Sequence, residues 1–92
     1  MQDEWVFEWD PAKSAANRRK HGIPFEEARA MWDDPYCFEF PLNSYPEQRW
    51  ALVAQMSSGY YTAIITYRGE KTVRIISVRK TTKREVDIYA RH

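Results

Sequence analysis

Two adjacent cations, Arg79 and Lys80, follow an apolar run and precede a helix-start pattern. The run from Thr72 to Val78 is rich in β-branched residues and predicts a buried strand. Thr82 and Glu85 have the spacing of a capping box, in which each side chain bonds the other residue's backbone amide. A guanidinium held there can bind a phosphate through two parallel hydrogen bonds. Because a cation before a helix N-terminus opposes the helix dipole, the pattern favours a phosphate at this place.

A second candidate cluster joins a carboxylate, a guanidinium and an indole: Glu47, Arg49 and Trp50 precede or open a predicted strand. In the functional interpretation, Arg49 and Glu47 lie at the rim of the same sheet as Arg79, and both arginines stabilise charge on phosphate. In the alternative interpretation, Trp50 packs opposite Tyr67 as a core aromatic pair and Arg49 is an ordinary surface residue. The residues alone leave both interpretations open.

The third candidate is His21, the one histidine inside the chain. Histidine titrates near neutral pH, which suits general acid-base chemistry. It follows Lys20 in the last turn of a predicted helix and precedes Gly22. The alternative is structural, because the C-terminal end of a helix favours cations through its dipole.

The first half of the chain predicts a strand, two helices and an edge strand. They span Trp5–Trp9, Pro11–His21, Pro24–Asp33 and Tyr36–Leu42. Asp10 has the position of an N-cap before a proline, and Gly22 that of a left-handed residue that ends the helix. Pro41 restricts the second strand to a sheet edge.

The second half predicts three consecutive strands and a last helix. The strands span Gln48–Ser57, Tyr60–Tyr67 and Thr72–Arg79, and the helix continues to about Arg91. Two-residue turns at Ser58–Gly59 and Gly69–Glu70 join the strands into an antiparallel meander. The element order is therefore β-α-α-β-β-β-β-α. We expect one α+β domain of two layers over residues 1–92. One layer is an antiparallel sheet, and the other consists of the helices that cover one face of it.

These turns also predict the register of the sheet, with Tyr60 opposite Arg79 and Thr62 opposite Ser77. One face is bulky and apolar and should pack against the helices. The other face ends in small polar side chains together with Tyr60 and Arg79, which suits a planar anionic ligand. Tyr60 can stack on a base or donate a proton. The alternative is a solvated end of the sheet.

The overall composition favours a folded protein of a reducing compartment. Hydrophobic residues make up 43% of the 92 positions, and the single cysteine, Cys37, excludes an internal disulfide. The chain lacks a signal-peptide pattern, a membrane-length apolar run and enough histidine and cysteine for a zinc site. We therefore expect a soluble cytoplasmic protein that holds no metal.

The net charge of +1 conceals an asymmetry between the two halves of the chain. Residues 1–47 carry ten acids and five bases, whereas residues 48–92 carry three acids and nine bases. A basic half favours a polyanion or an acidic partner. The alternative is that the halves neutralise each other across the fold.

Taken together, the motifs closely resemble the BrnT family, the toxins of bacterial type II toxin-antitoxin pairs. The resemblance covers nearly the whole chain in the family's order, with residues 36–46 the least similar. It rests on Phe7-Glu-Trp-Asp-Pro11, Arg19-Lys-His-Gly22, Phe25-Glu-Glu-Ala28, Asp33-Asp-Pro35, Glu47-x-Arg-Trp50, and Arg74-Ile-Ile-Ser-x-Arg-Lys80 with Thr82-x-x-Glu85.

The resemblance implies a RelE-like fold and a metal-independent ribonuclease, without cofactors, that halts translation. It also implies neutralisation by a BrnA-type antitoxin with a ribbon-helix-helix domain. Toxin and antitoxin would form a two-plus-two complex that represses its own operon, so that operator DNA is contacted only through the antitoxin.

Every candidate site residue except Tyr60, which comes from the predicted register, matches one of the family's motifs. Arg79 and Arg49 would stabilise charge on phosphate, since RNA supplies its own nucleophile, the 2′-hydroxyl. His21 would act as acid or base, and Tyr60 would position a base or act as acid. Flanking contacts to RNA would come from Lys80, Lys20, Trp50 and Glu47.

Two other functions remain open from the residues. The chain could be a non-enzymatic module whose basic half receives an acidic peptide and that acts as a co-repressor with its antitoxin. A DNA-binding role is disfavoured, because the helix that follows the Gly22 turn is acidic, with Glu26 and Glu27 in its first turn.

Overall fold

The computed structural model, which describes residues 5–57 and 59–91, has the predicted order of strands and helices. The strands are β1 (Val6–Glu8), β2 (Phe38–Leu42), β3 (Arg49–Met56), β4 (Gly59–Tyr67) and β5 (Thr72–Lys80). The helices are α1 (Pro11–His21), α2 (Phe25–Ala28) and α3 (Lys83–Arg91), and α2 continues as a 3₁₀ turn over Arg29–Asp33. Residues 1–4, Ser58 of the predicted Ser58–Gly59 turn and His92 lie outside the described residues.

The five strands form one sheet in the order β1-β5-β4-β3-β2. Strands β2 to β5 make the predicted antiparallel meander, and β2 lies at an edge as Pro41 required. β1 joins in parallel, with Val6 opposite Thr72, so the sheet is mixed where a purely antiparallel one was expected. Three antiparallel pairings separate β2 from β5, so these two strands run in opposite directions. Because β1 runs parallel to β5, it runs opposite to β2, and β2 begins at the end of the sheet where β1 stops. The α+β class is confirmed.

Local signals set the helix boundaries as predicted. The Asp10 carboxylate accepts a hydrogen bond from the Ala12 amide at 2.9 Å. Gly22 adopts φ 81° and donates to the carbonyl of Arg18 at 2.9 Å, which ends α1. The second helix is shorter than predicted, because it tightens into a 3₁₀ turn after Ala28, yet its apolar side is fully buried.

The core lies between α2 with its 3₁₀ turn and the side of the sheet called here the inner face. Its inner-face members are Leu52, Ala54, Tyr61, Ala63, Ile65, Val73, Ile75 and Val78, and its helical members are Phe25, Ala28, Met31 and Trp32. The aromatic residues of β1 and its flanks, Trp5, Phe7 and Trp9, pack against this core. The helical layer therefore covers the inner face, as predicted.

The β3–β4 register differs from the predicted one by two residues. Met56 lies opposite Gly59 and Val53 opposite Thr62, whereas the assumed turn placed Val53 opposite Ile64. A shift of two residues preserves the side of the sheet on which each side chain lies. The predicted faces of β3 and β4 are consequently correct although the partners are not.

The β4–β5 register differs for two physical reasons. The amide of Arg68 donates to the carbonyl of Thr72, so the loop spans three residues where two were assumed. A bulge between Ile64 and Ile65 then shifts the pairing again. Thr62 therefore faces Arg79, in place of the predicted pairs Thr62–Ser77 and Tyr60–Arg79. Val73 and Ile75, predicted for the opposite face, belong to the inner face.

The opposite side of the sheet is called here the outer face. Its residues include Phe38, Phe40, Ala51, Val53, Tyr60, Thr62, Ile64, Thr66, Arg74, Ser77 and Arg79. Helix α3 lies against one end of this face through Glu85 and Tyr89, whereas the prediction placed all helices on one side. The outer face is thus partly covered: Ala51, Val53, Thr62 and Thr66 are buried, and Ile64, Arg74, Ser77 and Arg79 are half-buried.

Candidate functional site

Arg79, the leading candidate, forms a bidentate ion pair with Glu85. Its Nη1 and Nη2 atoms each lie 3.0 Å from one oxygen of the Glu85 carboxylate. The Arg79 side chain is 35% exposed and that of Glu85 is 12% exposed, so solvent reaches the guanidinium more than the carboxylate. Strand β5 supplies the arginine and the first turn of α3 supplies the glutamate. The two elements therefore meet at a charged contact.

Hydroxyl and amide donors complete the shell around the same carboxylate. The Thr62 hydroxyl donates to Glu85 at 2.9 Å and lies 3.1 Å from the Thr81 hydroxyl. The Thr82 amide donates to Glu85 at 3.1 Å, and the Glu85 amide donates to the Thr82 hydroxyl at 3.2 Å. The predicted capping box is present. Thr62 itself is fully buried, so β4 contributes a rigid part of the site.

This arrangement perturbs both partners of the ion pair. The hydrogen bonds from Arg79 lower the pKa of Glu85 to about 2, against the effect of burial, and the bonds from Thr82 and Thr62 add to the shift. The same contact with Glu85 raises the pKa of Arg79. Both groups are therefore charged at neutral pH, and Glu85 is too weak a base to take a proton from a hydroxyl.

An aromatic contact fixes the other end of α3 to the outer face. The Tyr89 ring lies 5.1 Å from that of Tyr60 and 6.2 Å from that of Phe38, measured between centroids. The Tyr89 hydroxyl donates to Asp34 at 2.8 Å, and the Gln55 amide bonds the same carboxylate oxygen. Tyr60, a predicted site residue, therefore lies on the same face as Arg79 and beneath α3.

The second predicted cluster forms a chain of ion pairs at the opposite end of the sheet. Arg49 lies 3.2 Å from Glu47, whose other oxygen is 3.8 Å from Arg68. Arg68 and Arg74 both reach Glu8, at 3.8 and 3.2 Å. These side chains are 35% to 50% exposed, so the pairs add little stability and the guanidinium groups stay accessible. Three arginines against two carboxylates leave a positive charge at this end.

The two clusters share the outer face but are not adjacent. Arg79 lies opposite Thr62, and Arg74 lies opposite Thr66 four residues further along β4. At roughly 3.3 Å per residue, the clusters are about 13 Å apart along the strand. One phosphate cannot contact both, so Arg79 and Arg49 can act only on different phosphates of one strand.

Four other predicted site residues lie on the inner-face side of the sheet: Lys20, His21, Lys80 and Trp50, of which Trp50 packs against the core. Lys80 alternates with Arg79 along β5 and lies 5.7 Å over the ring of Tyr61, an inner-face residue. Lys20 and His21 end α1, which is bonded to α2 through the hydroxyl of Ser14. The structure therefore places Arg79 and Tyr60 on the same face, brings Arg49 and Glu47 into contact, and leaves the remaining four elsewhere.

Trp50 fits its alternative interpretation. It is half-buried against the core, and its ring lies 6.3 Å from that of Tyr67, although its strand partner is Ile65 and not Tyr67 as expected. The aromatic pair thus forms diagonally across the two strands. A position within the core explains the tryptophan without a ligand.

Sequence reasoning missed three contributors to these sites. Arg68 and Arg74 join Arg49 only because the loop and bulge set the observed register. Arg74 occurs in a recognised motif. If the bulge had been known, the alternation of side chains along β5 would have placed Arg74 on the same face as Arg79. Thr62 was placed on the correct face, but its bond to Glu85 spans 23 residues and has no local signal.

A large groove of the described residues lies elsewhere. It has a volume of about 1100 Å³ and runs beside α2 and its 3₁₀ turn. Its ionisable side chains are Glu26, Glu27, Asp33, Asp34 and Arg29, a formal charge of −3. Such a groove repels a polyanion, so we place no nucleic-acid contact there.

Residues 5–57 and 59–91 contain no group of three or more histidine, cysteine or acidic side chains placed to hold a metal ion. Within the same residues, every helix is too short or too polar to cross a membrane.

A comparison with known proteins identifies both the family and the fold. The family model described as "Ribonuclease toxin, BrnT, of type II toxin-antitoxin system" matches residues 9–85. The 1.1 Å crystal structure of the Brucella abortus ribonuclease toxin BrnT aligns with a TM-score of 0.68 at 20% sequence identity, over 86% of this chain and 99% of that chain. At this identity the likeness supports the fold alone. No curated protein matches the sequence.

Proposed function

Because this chain belongs to the BrnT family of ribonuclease toxins of type II toxin-antitoxin systems, we propose that it halts translation by cutting RNA internally without a metal ion. The observation that carries this proposal is the guanidinium of Arg79, held by Glu85 opposite Thr62 on the outer face, to which Tyr60 also belongs. A second group of guanidiniums about 13 Å along the strand extends the basic track in the direction of the strands. A single RNA strand fits such a track.

The proposed reaction needs no bound nucleophile from the protein. The 2′-hydroxyl of one nucleotide attacks the adjacent phosphorus and loses its proton to solvent water, and the bond from phosphorus to the 5′-oxygen breaks. The 5′-oxygen takes up a proton, which leaves a 2′,3′-cyclic phosphate and a 5′-hydroxyl. The protein's contribution is to stabilise negative charge on the phosphate and to move protons.

Roles follow from the placement of the side chains. Arg79 stabilises the charge that develops on the phosphate, and Tyr60, on the same face, donates the proton or stacks on a base. Arg49, with Arg68 and Arg74, binds a phosphate further along the strand, and Glu47 orients Arg49. Exposed guanidinium groups suit this task because they exchange water for phosphate readily.

The inner-side residues receive a different role. His21, Lys20 and Lys80 lie on the other side of the sheet from Arg79, so we propose that they contact flanking RNA and not the scissile phosphate. Trp50 we assign to the core. We therefore do not assign to His21 the acid-base role that its residue type suggested.

The family also defines the partner class. A type II toxin is neutralised by a protein antitoxin, and we propose a BrnA-type antitoxin with a ribbon-helix-helix domain in a two-plus-two complex. Operator DNA is then contacted through the antitoxin. We place the activity in the cytoplasm, where RNA is translated.

The test is cleavage of RNA by the purified chain, free of antitoxin, in the presence of EDTA and with and without ribosomes. Fragments that end in a 2′,3′-cyclic phosphate are the expected product. If RNA stays intact under all these conditions while the protein is folded and binds its antitoxin, the chain is a non-enzymatic co-repressor module and the proposal is wrong.

A further inference from the structure

The Glu85 carboxylate is surrounded by four donors that would serve a phosphate equally well. They are Nη1 and Nη2 of Arg79 at 3.0 Å each, the Thr62 hydroxyl at 2.9 Å and the Thr82 amide at 3.1 Å. A guanidinium fork binds the two oxygens of a carboxylate and of a phosphate in the same geometry. The proposed function assigns the Arg79 guanidinium to an RNA phosphate, but in this structure it is already paired with the Glu85 carboxylate of the same chain.

We propose that Glu85 is an internal substitute for an RNA phosphate and that α3 is the cover that holds it in place. RNA binding then exchanges one anion for another: α3 moves away from the outer face, and a phosphate takes the place of the Glu85 carboxylate on Arg79, Thr62 and the Thr82 amide. This inference rests on the proposed function, and it adds that the closed form of the protein blocks its own site.

The way α3 is attached supports a cover that can be displaced. None of its residues is fully buried, in contrast to α2, whose Phe25 and Ala28 are inaccessible. Its tertiary contacts include the pair Arg79–Glu85 and the hydrogen bond Tyr89–Asp34, and water can replace polar contacts of this kind.

Exchange is feasible because the two states use the same donors. Removing Glu85 alone would take the carboxylate away from the buried Thr62 hydroxyl and from the Arg79 guanidinium. The two groups keep the Thr81 hydroxyl and the Lys80 carbonyl as partners, but the loss of the charged hydrogen bonds is unfavourable. A phosphate restores those bonds. Further phosphates of the same strand reach Arg49, Arg68 and Arg74, which Glu85 cannot do. A polyanion can therefore displace α3, whereas a single phosphate ion competes poorly with Glu85 for Arg79.

The decisive measurement is the affinity for an oligodeoxynucleotide of about 12 nucleotides, a length within the usual site sizes for single strands. Such an oligonucleotide binds but cannot be cut, since it lacks the 2′-hydroxyl. Glu85→Gln should bind it about tenfold more tightly than the unaltered chain, because the competing charged partner of Arg79 is gone. Fluorescence anisotropy at fixed salt gives the dissociation constants.

Two controls separate this effect from simple loss of negative charge. Asp87→Asn removes the same charge from an exposed residue of the same helix and should change the affinity by no more than about twofold. Arg79→Gln in the Glu85→Gln background should abolish the gain. A Glu85→Gln variant that binds no more tightly than Asp87→Asn, or more weakly than the unaltered chain, overturns the proposal.

A second variant keeps the test valid if Glu85→Gln folds poorly. Tyr89→Phe removes the hydroxyl that bonds Asp34 without any change of charge, and it should raise the affinity about twofold to threefold by loosening α3. An unchanged or reduced affinity contradicts the inference. Because binding is measured without cleavage, these results remain informative even if the chain proves unable to cut RNA, which would refute only the proposed function.

Discussion

The side chain of Asn17 bonds both backbone groups of Val78, 61 residues away in the sequence. Its amide nitrogen donates to the Val78 carbonyl at 2.9 Å, and its oxygen accepts from the Val78 amide at 3.1 Å. The same nitrogen also donates to the carbonyl of Ile23 at 2.8 Å. Since β1 pairs with β5 only as far as Arg74, Asn17 satisfies an edge of β5 that no strand covers.

Asn17→Ala should destabilise the fold by about 2–4 kcal/mol, because it leaves buried polar groups without partners. Urea denaturation of the purified variant gives the free energy of unfolding. Arg18→Ala, at the next and exposed position of α1, is the control and should change it by less than about 0.5 kcal/mol. A similar small change for Asn17→Ala would mean that water replaces these bonds without loss.

Arg79→Lys should lower kcat/KM for RNA cleavage about tenfold or more, and Arg79→Gln about a hundredfold, because lysine keeps the charge but loses the fork. Arg84→Gln, which removes an exposed guanidinium from α3, should leave the rate within about twofold. The double variant Arg79→Gln/Glu85→Gln separates fold from function: it should regain stability without regaining activity. Recovery of activity in the double variant would exclude a direct role for Arg79.

The ion pair Arg79–Glu85 should make stability fall in acid. The folded pKa of Glu85, about 2, lies below its ordinary value of 4.5. Its contribution is therefore complete above pH 4.5 and is lost as the pH falls towards 2. We expect Glu85→Gln to unfold about 1–3 kcal/mol more easily at pH 7, a range reduced for the exposure of Arg79, and to equal the unaltered chain at pH 2. Denaturation of both proteins across this range tests it, and a constant difference would contradict the assignment.

The second basic cluster predicts a particular salt dependence of RNA binding. Each phosphate contact adds about 0.7 to the slope of log affinity against log salt for a single strand. Arg68→Ala and Arg74→Ala should each lower that slope by about this amount and weaken binding at low salt. Arg19→Ala, on the exposed side of α1, should leave the slope unchanged. Equal slopes in all variants would place the RNA elsewhere.

His21→Gln distinguishes the two sides of the sheet. Because His21 lies in the helical layer on the inner side, its loss should change kcat by no more than about twofold at any pH from 6 to 8. Tyr60→Phe, on the outer face, should lower kcat about tenfold or more, within the usual range for a lost general acid. The reverse pattern would move the chemistry to the end of α1.

Local patterns were sufficient to predict several features of this molecule. Asp10 and Gly22 bound the first helix through bonds to near neighbours, and Thr82 and Glu85 form their box for the same reason. The apolar side of the second helix also followed from its period, although the change to a 3₁₀ turn did not.

Contacts between distant residues could not be predicted in the same way. The extra loop residue after Arg68 and the bulge that leaves Ile76 of β5 without a partner on β4 have no distinctive composition. Together they decide which residue faces Arg79. Arg79 and Lys80 lie on opposite faces of the sheet, as the alternation of side chains along a strand predicts. Residues that are adjacent in a motif therefore need not share a site. The pair Arg79–Glu85 required both the strand end and the helix, so its geometry emerged only in three dimensions.

The parallel pairing of β1 with β5 has a consequence for the order in which the fold can be completed. Val6 cannot reach Thr72 until β5 has been synthesised, and contacts of such long range form slowly. A nascent or truncated chain therefore lacks an edge strand, and its aromatic residues Trp5, Phe7 and Trp9 have no complete core to join. The edge of the sheet and the core against which these aromatic residues pack are therefore completed only after β5 has formed.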